Sequence, residues 1–169
     1  MITVHTPDEK IATTEAFQRS IFLAGPTPRS EKVKSWRPEA LSILKELGFN
    51  GNVFVPERKD WKAKFGYEDQ IAWELLGIEN VTVVAFWVPR ELKTMPAFTT
   101  NVEFGYCIRH QLDAPKFPYV MYGRPAGAPH TAYLDYLYKR TLCWPAENLR
   151  ETLEKSVNRV NIYQPLKDF

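Results

Sequence analysis

Cysteine is nearly absent. Cys107 and Cys143 stand isolated in a chain of 169 residues, which excludes a disulfide framework or a cysteine-built zinc site and predicts a reduced, cytosolic protein. No apolar run is long enough to span a bilayer; VTVVAFWV at 81–88 is far too short. The first residues, MITVHTPDEK, lack the charged-then-apolar layout of a secretory signal. Charge of one sign is also missing. A net charge of +2, with no basic run or tail, leaves no electrostatic footprint for nucleic acid or an acidic membrane. There is no internal repeat and no linker. One domain over 1–169 is the simplest organisation, with 1–19 as a weakly patterned appendage.

Aromatic residues, in contrast, are abundant: 5 Trp, 8 Tyr and 10 Phe. Trp61, Phe65 and Tyr67 fall in or beside a polar loop, and Trp87 and Tyr122 fall at predicted strand ends. Rings so placed can stack on a planar ligand. Packing in the core accounts for them equally well.

The pattern along the chain alternates short apolar runs with helical periodicity, as a parallel α/β sheet requires. Strands are predicted at 20–24, 52–55, 81–88 and 117–122, with a short fifth at 141–144 and an edge segment around Ile2 and Val4. The run at 81–88 is continuous rather than alternating, so it should be covered on both faces. Helices are predicted at 36–47, 67–78, 101–112 and 131–139, with a last one starting at Pro145. Gly48 ends the first, and Ser35 is placed to cap it. In the second, Ile71, Leu75 and Ile78 share one face, and Gln70 and Glu74 are spaced to interact. Loops after the strands should converge at one sheet edge, where ligands sit in open α/β folds. They are 25–30, with Gly25 and Arg29; 57–66, a lid or a plain surface loop; and 89–99.

Glu103 follows the third of these loops. Thr100-Asn101-Val102-Glu103 fits a capping box, in which Glu103 only bonds back to a backbone amide. The same position suits a carboxylate nucleophile. A helix N-terminus favours the ionised form at neutral pH, and such an anion can attack an electron-poor anomeric carbon.

Several motifs then share one resemblance. Glu74-Leu75-Leu76-Gly77-Ile78, the strand at 81–88 with Pro89, and Glu103-Phe104-Gly105-Tyr106 resemble the core of the nucleoside 2-deoxyribosyltransferase family. Phe22-Leu23-Ala24-Gly25-Pro26-Thr27, Trp36-Arg37, Val55-Pro56-Glu57, Gln70 to Glu74 and Asn101-x-Glu103 are closer still to its deoxyribosyltransferase-like bacterial and phage branch. The resemblance covers about residues 20–110. It implies a flavodoxin-like three-layer α/β sandwich with a five-stranded, mostly parallel sheet. It implies Glu103 as nucleophile on C1′ of a 2′-deoxynucleoside, with Glu74 in the place of the family's Asp. Gly25, Pro26, Thr27, Arg29, Glu57, Asp60, Trp61, Gln70, Trp87, Thr100 and Asn101 are the residues expected to meet substrate. A homo-oligomer is implied in the same way.

The chain also departs from the family. Glu74 is one methylene longer than Asp. Asp60 stands where the transferases carry a Gln that contacts the base. The loop before Glu103 is longer and contains Met95-Pro96-Ala97-Phe98. Related hydrolases hold a 5′-phosphate with Ser and Arg in the first loop, to which Thr27, Arg29 and Ser30 are loosely comparable. The readings are therefore glycosyl transfer, nucleotide N-glycoside hydrolysis, NAD glycohydrolysis, and a nucleotide-binding module without turnover. Nothing in the residues suggests a metal or organic cofactor, and the expected partner is a small nucleoside or nucleotide.

Overall fold

The structure, a computed structural model, describes residues 1–9, 14–58, 66–113 and 119–162. Asp60, Trp61 and Phe65 lie outside them. Five strands form one sheet: β1 (Ile2–His5), β2 (Ser20–Ala24), β3 (Gly51–Phe54), β4 (Val83–Trp87) and β5 (Tyr119–Gly123). Their order is β1-β3-β2-β4-β5 and every pairing is parallel. Among the described residues, five α-helices surround it: α1 (Arg37–Glu46), α2 (Tyr67–Asn80), α3 (Phe98–Asp113), α4 (Ala132–Lys139) and α5 (Leu149–Ile162).

Period-two alternation in the strands divides the core into two layers. Phe22, Ala24, Phe54, Val84, Phe86, Val120 and Tyr122 face Trp73, Ile78, Phe104, Ile108, Leu134 and Tyr138 of α2, α3 and α4. Ile21, Leu23, Val53, Val83, Ala85 and Trp87 face Ala40, Ile43, Leu44, Leu149, Leu153 and Val160 of α1 and α5. This is the expected three-layer α/β sandwich, with β2 and β4 wholly buried. The run β3-β2-β4-β5 follows the flavodoxin-like strand order.

The four main expected strands and the edge segment around Ile2 and Val4 all form. The predicted strand at 141–144 does not form. The chain leaves α4 through successive tight turns, with Thr141 N donating to Tyr138 O and Leu142 N to Lys139 O. Leu142 has a φ of 62°, and Pro145 has no N–H to offer a ladder. All that remains at this edge is one parallel bridge between Gly123 and Ala146. The fifth strand is β1, out of the N-terminal appendage, paired along β3 on the opposite edge. The last helix also starts later than Pro145, because Asn148 caps it: its Oδ1 accepts from Glu151 N at 2.8 Å.

The third helix starts earlier than the predicted 101. Pro96 and the positive φ of Ala97 (61°) turn the chain, and α3 begins at Phe98, with Asn101 N donating to Ala97 O at 3.2 Å. Thr100 is therefore a buried residue inside the first turn and not an N-cap. The capping box is absent, and Glu103 lies in the second turn.

Two helical glycines separate packing from propensity. A Cβ on Gly77 would lie 2.7 Å from the Phe22 ring, whereas one on Gly105 meets open space. Gly77→Ala should lower stability by about 1–3 kcal/mol through overpacking of α2 on β2. Gly105→Ala should be neutral or raise it by up to about 1 kcal/mol. Urea unfolding of the two variants checks both signs.

Candidate active site

A cleft of about 800 Å³ opens at the C-terminal ends of β2, β3 and β4. Its walls come from the loop after β2 (Gly25, Pro26, Thr27, Arg29), the loop after β3 (Pro56, Glu57, Arg58), α2 (Tyr67, Gln70, Ile71, Glu74, Leu75, Ile78) and the start of α3 (Pro96 to Thr100, Val102, Glu103). The lining is mostly apolar with a few convergent charges, as in small-molecule sites.

The β2 loop is held by backbone geometry. Gly25 has a φ of 148°, and a Cβ there would stand 2.1 Å from the Trp87 carbonyl oxygen. Only glycine lets β2 turn so close to the end of β4. The indole N–H of Trp36 donates to Pro26 O at 3.1 Å. Arg29 N donates to Thr94 O at 3.0 Å, and its guanidinium lies over the Phe98 ring at 5.5 Å. The loops after β2 and β4 are thus joined across one end of the cleft.

On the floor, lining the cleft but only 1% exposed, sits Arg37. Its Nε donates to Leu23 O (3.1 Å) and its Nη2 to Gly25 O (2.8 Å). Its Nη1 donates to Thr27 Oγ1 (3.1 Å) and to Glu57 Oε1 (2.6 Å). Ser35 Oγ donates to the same Glu57 oxygen at 2.8 Å and accepts from Arg37 N at 3.1 Å. Burial lowers the guanidinium pKa; the negative charges of Glu57, Glu103 and Glu74 oppose that.

The two carboxylates above it are both harder to ionise than usual. Burial raises Glu103 to about 7, the negative charge of Glu74 adds to the rise, and Arg37 opposes it. Glu74 is also raised, first by burial. The hydrogen bond from Gln70 Nε2 (2.9 Å) and the charges of Arg37 and Arg58 oppose the rise. This reverses the expectation of a helix terminus keeping Glu103 ionised. The dipole effect is confined to the first turn, Glu103 sits in the second, and desolvation is the larger influence.

Glu103, Glu74, Gly25, Pro26, Thr27, Arg29, Glu57, Gln70 and Thr100 therefore share one cleft. Two expected substrate contacts are elsewhere. The Trp87 ring, 7% exposed, packs in the α1/α5 layer rather than at the cleft, because alternation along β4 sends it to the opposite face from Phe86. Asn101 is exposed on α3, and its Oδ1 accepts from Arg90 Nη2. Tyr122 is core as well, its hydroxyl donating to Asp135 at 3.0 Å. Tyr67 does line the cleft mouth. Asp60 and Trp61 fall outside the described residues. The sequence reading missed Arg37 as a site residue. Its signal was a cation at the first position of a helix, where the dipole disfavours one.

A family model described as nucleoside 2-deoxyribosyltransferase like matches residues 18–113. That is more than half the chain, and it contains β2, β3, β4 and both cleft carboxylates. The chain belongs to the nucleoside 2-deoxyribosyltransferase-like family. No curated protein matches it. The family is generally enzymatic and suggests a small nucleoside substrate. Among the described residues, no helix is long and apolar enough to cross a membrane, and no cluster of three or more His, Cys, Asp or Glu is placed to hold a metal.

The raised Glu103 makes a prediction that needs no substrate. Its proton is bound more tightly folded than unfolded, so its stabilising contribution is complete below about 4.5 and is lost as pH rises through about 7. Glu103→Gln should thus unfold at nearly the wild-type temperature at pH 4.5. By pH 8 the variant should be the more stable by up to about 3 kcal/mol. Thermal unfolding across this range checks it; a difference independent of pH would contradict the raised value.

Proposed function

We propose that this chain cleaves the N-glycosidic bond of a 2′-deoxynucleoside or its nucleotide, with Glu103 as nucleophile at C1′. The observation that carries this reading is the pair Glu103 and Glu74, half-buried in an apolar cleft at the sheet's C-terminal edge, inside the segment the family model matches. Desolvation destabilises the carboxylate in the apolar cleft, so the anion gains by neutralising a cationic transition state. The developing oxocarbenium carbon of the sugar is such a partner. The C1′–N bond breaks and the C1′–O bond to Glu103 forms. The electron pair leaves with the base, which takes a proton from solvent, and Glu74, close enough for its charge to act on Glu103, arranges the nucleophile and the leaving base. An incoming base then displaces Glu103 in transfer, or water does so in hydrolysis. Transfer is the reading placed first, on the family match.

A second copy of the chain is proposed as the cover of the cleft mouth. Tyr67 is 73%, Phe98 68% and Val102 74% exposed there, an apolar rim that a monomer would leave in water.

The test is a chromatographic time course with deoxynucleosides, their 5′-monophosphates and a foreign base. A new deoxynucleoside establishes transfer; free base alone establishes hydrolysis, with the monophosphates reporting any need for phosphate. Nicotinamide release from NAD would redirect the substrate. Binding without any product would leave a nucleotide-binding module and overturn the reading. Glu103→Ala should lower turnover about 10³-fold or more while the fold persists. In the wild type, kcat/KM should rise with pH to a plateau with a midpoint near 7, since only ionised Glu103 attacks.

A further inference from the structure

A buried arginine carries a large desolvation cost, which only good geometry offsets. Arg37 shows such geometry, and all of it is directed at the site. Its guanidinium binds the carbonyls on either side of Ala24, at the point where β2 ends. It binds the Thr27 hydroxyl two residues further along the loop. It pairs with Glu57 beyond the end of β3. One planar fork therefore sets the separation of two strand ends and the course of the loop that walls one side of the cleft. A lysine ammonium, a point charge with a flexible stem, cannot reproduce four directed contacts in this plane.

Arg37 also lines the cleft together with Glu74 and Glu103. The charged and titratable groups around Glu103 are Glu74 from α2, Arg37 from α1 and Cys107 one turn on in α3. Arg29, Glu57 and Arg58 line the same cleft. Glu57 is hydrogen-bonded directly to Arg37, but one carboxylate does not exhaust the guanidinium's field, which reaches both Glu74 and Glu103.

We propose that Arg37 is the positioning residue of this site: it locks the Gly25–Thr27 loop to Glu57 and sets a buried positive charge in the cleft that Glu74 and Glu103 share. The role in turnover rests on the glycosidic reading above. The role in ionisation does not.

Two variants separate the halves of the proposal. Arg37→Gln combined with Glu57→Gln removes the charge without orphaning a buried carboxylate. Arg37→Lys keeps the charge and loses the fork. The Glu103 carboxyl is titrated directly by carbon NMR of side-chain-labelled protein, assigned by its loss in Glu103→Gln, so that no substrate is needed. In the double variant the midpoint should rise from about 7 by about one pH unit, and the rising limb of kcat/KM should move with it. In Arg37→Lys the midpoint should stay near wild type while kcat falls about 10-fold, because the loop is no longer held. An unchanged midpoint in a folded double variant would overturn the charge role. Should the double variant not fold, a Lys variant whose midpoint moves up by a full unit would do the same. Wild-type kcat in Arg37→Lys would overturn the positioning role. A wild-type protein that titrates as described yet turns over no nucleoside would instead remove the glycosidic reading.

Discussion

A strand buried on both faces has no side chain to spare for chemistry, and that constraint shapes this molecule. β2 and β4 alternate between two apolar layers, one under α2, α3 and α4 and the other under α1 and α5. Every polar group that works must then stand beyond the strand ends, on loops or on the following helices. Parallel topology brings those ends to one edge. The cleft is the meeting point of the loops that the buried strands push out, and its carboxylates come from helices anchored in the same apolar layer.

Within the cleft, solvation decides the electrostatics. Two carboxylates in an apolar wall hold their protons more tightly than in water, and the buried guanidinium offsets only part of that. The protein keeps this arrangement at a cost in stability near neutral pH, as sites tuned for reaction commonly do. A ligand that brings partial positive charge into the cleft relieves that cost.

The strands were legible because burial on both faces leaves a continuous apolar run that little else imitates; VTVVAFWV could hardly be anything but a central strand. Glu103 and Glu74 were legible through motifs spaced along helices. The start of α3 was not. Thr100-x-x-Glu103 matches a local capping pattern, but the turn at Ala97 takes a positive φ that its sequence does not advertise, and the helix begins three residues early. Position along a strand end also misled for Trp87: proximity to the edge is set by the strand, whereas the face is set by alternation, and alternation sends this ring to the core. Arg37 escaped because a charged residue beside a helix start reads as surface. Its burial depends on carbonyls and a carboxylate distributed from Leu23 to Glu57, a tertiary arrangement whose local sign is no more than a cation at a helix start.

β1 gives the sheet something besides a fifth strand. It lies along β3 for only four residues, and a strand this short is a poor template for another chain. Beneath it, β3 ends in the wholly buried Val53 and Phe54, which would make a far more adhesive border. The N-terminal segment thus acts as selvage, the finished margin that keeps a woven edge from catching on the next piece of cloth. Trimming it would leave the cleft residues in the chain while giving the sheet a border open to neighbouring molecules.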